Sequence, residues 1–425
     1  MKSILRPCVI ACVVGCVVAC AVPAATAAEL DLFKGGHLKY LFLLNTFPDD
    51  SLFRDVIDTP AVDQFGDLRL KFGGQKESVR LHADYQLIAG KGDSLILANS
   101  LPGNILVPER VPTDRFRLMD LTHVISQDDD SVLVHRLDRL YVDVTSTQAV
   151  ARIGRQAVSW GNGLIYTPMD FFNPFDPAAV DKEYKTGDDM VYGQYLRQNG
   201  DDAQAVWVIR RDLNGDVGSD VNSVAAKYHG FAGEREYDLL LAQHFDDTIA
   251  GVGGISNIGG AVWRGDITLT DTQTDNVLSL VTSMSYSWVG WGRNISGIAE
   301  YYYNGFGIAG GDYSPEALNS NPDLVERIVR GELFTLGRQY LALSAMVEMM
   351  PLWTLTPNAF ANLSDGSMLL QLVSAYDFRQ DWQFLAALNM PIGPAGTEFG
   401  GIDSDVPGKQ LSTGLGMFAQ LAWYF

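Results

Sequence analysis

Arg80, His82 and Asp84 take every second position in the stretch Ser78–Ala89, and Val79, Leu81, Ala83 and Tyr85 alternate with them. In an extended chain successive side chains point to opposite faces, so this spacing gathers the charge on one face. Arg136, Asp138 and Arg139, then Arg152, then Arg264 with Asp266, add opposed charges in similar settings. Around a water-filled space, such rows create a transverse field that filters solutes by charge and orientation. The same groups also suit pairing across neighbouring strands, and the two roles can coexist. For bond-making chemistry the signals are thin. The six histidines, His37, His82, His123, His135, His229 and His244, fall on separate strand-like stretches, and H-E-x-x-H, C-x-x-C and G-x-S-x-G strings are all missing from the sequence. We therefore expect no enzyme, no metal and no cofactor.

Many other stretches show the same two-sided pattern. Tyr237, Leu239, Leu241 and Phe245 alternate with Glu236, Asp238 and His244, and Trp382, Phe384, Ala386, Leu388 and Met390 oppose Gln383 and Asn389. The final stretch, Leu411 to Phe425, has an apolar face of Leu411, Leu415, Met417, Ala419, Leu421, Trp423 and Phe425. It is long beside the usual strand of about 5 to 6 residues and suits an oblique bilayer crossing, which needs about 9 to 11. This segment resembles the carboxy-terminal strand of Gram-negative outer-membrane barrels. The resemblance implies that Leu421, Trp423 and Phe425 form a signal for the barrel-assembly machinery and that the strand closes the barrel. Clusters such as Tyr301-Tyr302-Tyr303, Trp288 with Trp291, and Trp423-Tyr424-Phe425 fit aromatic girdles at the bilayer interfaces.

The first residues read as a secretory signal over 1–28: basic Lys2 and Arg6, an apolar run from Cys8 to Val22, and the small residues Ala24 to Ala28. Residues 29–425 are then the barrel. Cys8, Cys12, Cys16 and Cys20 all lie in the signal, so cleavage leaves no disulfide or thiolate site. Cys16 and Cys20 each also end a lipoprotein-like box, the competing route of processing. Loss of Lys2 and Arg6 takes the formal charge from -20 to -22. That acidity argues against nucleic-acid binding.

Fold class follows as all-β: a transmembrane antiparallel up-and-down β-barrel of about 16 to 18 strands with long loops and a short loop helix. Polar turns are expected at 73–76, 127–130, 199–202, 232–234 and 379–381, and GVGGISNIGG at 251–260 reads as a turn, a kinked strand or two short strands. Long connections fall at about 47–63, 91–113, 160–188, 304–331 and 392–410. In the fourth, Asn321-Pro322-Asp323 reads as a helix start and Gly331 as its stop, with Leu324, Val325, Ile328 and Val329 on one face. Counting hairpins back from Phe425 puts the 160–188 loop on the periplasmic side, so either a strand is miscounted or this segment tucks into the lumen.

That loop carries the most distinctive string, Gly154-Arg155-Gln156 through Trp160-Gly161-Asn162-Gly163 to Asp170 and Asn173-Pro174. It is similar to the GRQ, WG and D-x-x-NP pattern of alginate-export-like Gram-negative barrels, over about 25 residues. Gly161 and Gly163 permit tight turns, and Pro168, Pro174 and Pro177 break any ladder. A wall brace and a pore constriction are both open to it. Candidate pore-lining or constriction residues are Arg80, His82, Asp84, Arg152, Arg155, Trp160, Asp170, Asn173, Arg264 and Asp266.

The expectation is an outer-membrane porin-like channel for passive diffusion of small hydrophilic solutes, its lumen narrowed by loops. Its partners would be outer-membrane lipid and lipopolysaccharide, the assembly machinery and the solute, with a homo-oligomer or a periplasmic partner also open. The alternatives are a scaffold barrel of an export or electron-conduit complex and, less favoured, an outer-membrane hydrolase.

Overall fold

The computed structural model describes residues 32–101 and 111–425; the expected signal segment and its cysteines lie outside the described residues, as does part of the 91–113 connection. The first strands are β1 (Phe33–Asn45), β2 (Ala61–Lys76), β3 (Val79–Gly92), β4 (Thr122–Gln127), β5 (Ser131–Thr145), β6 (Ala149–Gln156) and β7 (Asp188–Leu196). The middle strands are β8 (Asp202–Val208), β9 (Ser223–Ala232), β10 (Arg235–His244), β11 (Asp247–Ile258), β12 (Ala261–Asp271), β13 (Asn276–Gly290) and β14 (Arg293–Tyr303). The last are β15 (Gln339–Met350), β16 (Trp353–Asn362), β17 (Met368–Arg379), β18 (Trp382–Ile392), the short ribbon β19 (Ile402–Asp403) with β20 (Gln410–Leu411), and β21 (Gly416–Tyr424). Helices α1 (Asp93–Ser100), α2 (Pro315–Asn319) and α3 (Pro322–Val329) sit in connections.

Sequential antiparallel pairing, with β21 joined to both β18 and β1, closes an 18-strand barrel. The short β4 pairs with the first part of β5, and β6 with the rest, so β4 adds no crossing. Closure pairs every full crossing on both sides, and of the wall strands only the short β4 is paired on one side alone. At closure Phe425 N–H donates to the Gly36 carbonyl (3.1 Å), and Gly36 N–H donates back (2.8 Å).

Side-chain alternation runs as the sequence implies. Outward positions such as Leu239, Leu241, Ile267, Leu269 and Leu388 are exposed apolar residues, while inward Asp84, Asp238, Asp266 and Gln420 are buried. No helix among the described residues is long and apolar enough to cross a membrane, and the exposed apolar belt lies on strands. Connections sort by length: every turn at the end holding Phe33 and Phe425 is short, and the long connections share the opposite rim.

Several expectations are corrected. The 157–187 segment, between β6 and β7, leaves from the long-loop rim; β8 is only 7 residues long and β16 carries Pro357, and one uncounted crossing of this kind reverses the parity. Gly73 to Lys76 belong to β2, with the turn at Glu77 and Ser78, and 251–260 is the run of β11 into its turn. The last strand is shorter than fifteen residues: Leu411 lies in β20 and packs inward on Phe53 and Ile402 clusters rather than on lipid. Tyr302 and Tyr424 leave the aromatic girdle. Tyr302 is buried against Tyr166, and the Tyr424 hydroxyl donates to Glu183 (2.9 Å). In α3 the cap is as expected, the Asn321 side chain accepting from Leu324 N–H (3.3 Å), but Val329 is exposed while Leu324 is buried.

Candidate functional site: the inserted segment and its anchors

Residues 157–187 cannot continue the sheet, because Pro168, Pro174 and Pro177 lack the N–H a ladder needs. The segment folds inward instead and bonds to the inner wall at many points. Trp160 Nε1–H donates to Gln204 on β8 (2.8 Å). Asn162 donates from its backbone to Asp266 on β12 (2.6 Å) and from its amide to Asp266 (2.7 Å) and to Asp238 on β10 (2.9 Å). Three successive backbone N–H groups, of Leu164, Ile165 and Tyr166, donate to the single carboxylate of Glu300 on β14 (2.7, 3.0 and 2.6 Å). Farther along, the Ala178 carbonyl accepts from Gln371 on β17 (2.8 Å), and Lys39 on β1 pairs with Asp181 (2.6 Å) and Glu183 (2.7 Å). The Tyr184 ring lies beneath the Arg69 guanidinium of β2 at 4.0 Å, and Arg139 of β5 donates to the Lys185 carbonyl. The contacts thus reach strands all round the barrel.

Lys185 clamps the segment on itself. Lys185 Nζ meets both oxygens of Asp170 (2.6 and 2.7 Å) and the Val158 carbonyl (2.6 Å). Burial works against both charges, pushing the Asp170 carboxyl up and the Lys185 amine down, while each is opposed by its partner. Beside it, Val158, Trp160, Met169, Phe171 and Phe172 pack against Val206, Leu240 and Ile249 of the wall. Apolar side chains inside the barrel make sense only because this segment covers them.

The candidate residues divide into two sets. Trp160, Asp170 and Asp266 are buried anchors of the segment, and Asn173, at φ 54, bonds Asp188. Arg155 is buried at the root of the segment, between Asp189 (2.9 Å) and Asp114 (2.8 Å), so it braces and faces no open lumen. Asp84 lies in a buried cluster in which Asp138 takes Arg69 (2.7 Å), Arg136 (2.9 Å) and Arg139 (3.0 Å). Arg80, His82, Arg152 and Arg264 sit on the short-turn halves of their strands, apart from the inserted segment. There His82 pairs with Asp84 (2.8 Å), Arg152 with Asp143 (3.5 Å), and Arg264 donates to Ser285 (3.0 Å). Leu421, Trp423 and Phe425 point outward at the closure, where the Phe425 ring contacts Trp423 and Phe33.

Sequence reasoning missed Glu300, Asp238, Lys39, Lys185 and Gly253. A Cβ on Gly253 would collide with the Asp266 carboxylate and the Asn162 amide, so β11 is bare where the segment docks. The available signal was Gly251 and Gly253 two apart, on the inward side of a strand.

No family model matches the sequence, and neither does any curated protein. The resemblance of the Gly154 to Pro177 string to alginate-export-like barrels therefore gains no support from those comparisons. Among solved structures, the chain is similar to Pseudomonas aeruginosa OccK5 (OpdH), with a TM-score of 0.53 at 11% identity over 94% of this chain and 99% of that one. Acinetobacter baumannii OccAB4 gives 0.52 at 9% identity, covering 93% and 99%. Wzi from Escherichia coli, described as an outer membrane protein involved in group 1 capsule assembly and a carbohydrate-binding β-barrel, gives 0.50 at 9% identity, covering 92% and 84%. At such identities the likeness is one of fold.

Proposed function

We propose that this chain is an outer-membrane channel for passive diffusion of small hydrophilic solutes, with residues 157–187 as its constriction. One observation supports the reading: a single segment is held on the inner face of the wall by inward side chains from β1 to β17. Mechanism then reduces to the width left beside that segment and the charge of the walls. In this reading the short-turn rim faces the periplasm and the long loops face outward, as in barrels of this class. The long-loop rim carries many acids, among them Asp49, Asp128, Asp129, Asp212, Asp246, Asp312 and Asp403, which supports a mild preference for cations.

Planar-bilayer recording of the purified protein tests this. A steady conductance is expected, with a reversal potential under a salt gradient on the cation-selective side that shrinks as ionic strength rises. Anion selectivity would overturn the charge argument. A protein silent as purified that conducts only after its inward anchors are removed would be a closed barrel, and the scaffold reading would replace the channel.

A further inference from the structure

Lys185 and Asp170, 15 residues apart on the inserted segment, are both more than nine-tenths buried. Around them lie Val158, Trp160, Met169, Phe171 and Phe172, with the Phe172 ring 4.6 Å from Phe171 and 5.6 Å from Trp160. In water an amine and a carboxylic acid exchange a proton and persist as hydrated ions, which hinders their condensation. An apolar surrounding takes away that hydration and brings the neutral pair, amine beside carboxylic acid, within reach. Burial presses both groups in this direction, the carboxyl up and the amine down.

The geometry suits the reaction. Lys185 Nζ touches both carboxyl oxygens, at 2.6 and 2.7 Å, so the carbon between them stands at about 3 Å, a near-attack separation. Rotation about the soft Asp Cβ–Cγ bond turns the carboxyl face to the amine without moving the backbone. The Val158 carbonyl (2.6 Å) and Ser159 Oγ (3.2 Å) also hold Nζ. Backbone N–H groups of Trp160 and Phe172 donate to the same carboxyl, where an oxyanion would develop. We propose that Lys185 and Asp170 join in an intramolecular isopeptide bond that locks the inserted segment covalently. Nζ attacks Asp170 Cγ, a C–N bond forms and one Cγ–O bond breaks. That oxygen leaves as water, carrying the carboxyl proton and one amine proton relayed by the Ser159 hydroxyl, with no change of oxidation state. Asp170 borders the recess, open to solvent, between the segment and the connection from β14 to β15, which gives the water an exit.

The bond can be read from mass alone, so the test stands whether or not the barrel conducts. Trypsin cuts after Arg155, Lys182, Lys185 and Arg197. An acylated Lys185 resists cleavage, so the digest of the full chain purified from membranes should contain peptides 156–182 and 183–197 as one species, lighter than their sum by one water. Fragment ions should place the link between Asp170 and Lys185. Free 156–182 together with free 183–185 from the native protein would overturn the proposal. Asp170→Ala should give the separate peptides, and a joined species in that variant would overturn the assignment to this carboxyl. The full chain taken from inclusion bodies and kept in denaturant should also give separate peptides, with the joined species appearing after refolding into detergent. A joined species in the chain that never folded would show that the folded site does not make the bond.

Discussion

Glu300→Ala should release the inserted segment while leaving the barrel closed. The carboxylate accepts N–H groups from Leu164, Ile165 and Tyr166 at 2.7, 3.0 and 2.6 Å, and no other side chain accepts from those three. Hydrogen bonds to a charged acceptor contribute about 1.5–3 kcal/mol each, so three set an upper bound of about 9 kcal/mol. Water entering the vacated volume would rebond part of the three amides and cut the net loss to about 2–4 kcal/mol. That shifts the opening equilibrium of the segment by about 30-fold to 1,000-fold. Glu300→Gln should be milder, about 1–2 kcal/mol. Its carbonyl can still serve Ile165 and Tyr166, which share one oxygen, while its amide meets Leu164 donor to donor. Amide hydrogen exchange in detergent micelles reads this directly. Leu164 to Tyr166 should exchange faster in the order native, Gln, Ala, with β13 and β15 unchanged and Tyr301→Phe, the outward neighbour, silent. Native protection at 164–166 in Glu300→Ala would refute the claim that this carboxylate holds the segment.

Leu239 is outward, 50% exposed and mid-way along β10; Leu239→Arg should cost about 2–4 kcal/mol in lipid, whereas Leu415→Arg, just before β21 at the rim, should cost about 0–1. Equilibrium unfolding in vesicles compares them, and equal costs would remove the belt assignment. Deleting Phe425 removes both bonds to Gly36 and the ring contacts with Phe33 and Trp423, so outer-membrane levels in cells should fall; normal levels would rule out the assembly role. Glu398, in the connection before β21, accepts from Leu336 N–H (2.8 Å), Tyr340 OH (2.6 Å) and Asn362 (2.7 Å), and burial raises its carboxyl from 4.5 to about 7. A raised carboxyl pKa means the folded loop holds its proton more tightly than the unfolded chain. This stability is therefore full below about pH 4.5 and lost as pH rises through about 7. Exchange protection in 393–401, corrected for intrinsic rates, should be greater at pH 5 than at pH 8, and Glu398→Gln should flatten that difference.

Architecture was legible because a barrel wall repeats one local rule. Each crossing needs only period-two alternation, and a strand states it alone, as 78–89 and 416–424 do. Strand number and parity were harder, since β8 is short and Pro357 interrupts β16, and a single unseen crossing turns every loop to the other side. The candidate site was legible in part: the string from Arg155 to Asn173 does mark the segment that enters the barrel. What it binds to was hidden. Asn162 meets Asp238 and Asp266, 76 and 104 residues away, and Leu164 meets Glu300 at a separation of 136.

Those distant partners give the inward charges a different meaning from the one spacing suggests. Alternation establishes that Asp266 and Glu300 face inward, but a carboxylate facing water and one capped by three amides look the same in sequence. The row of acids opposite Arg69, Arg136 and Arg139 would act as a bare field across an open lumen. With the segment in place, Asp238, Asp266 and Glu300 are occupied as acceptors, and Asp138 is occupied by three guanidiniums. In the proposed channel, selectivity would then arise from the groups the segment leaves uncovered, Arg80 and Arg264 with their neighbours on the short-turn side and the acids of the long-loop rim.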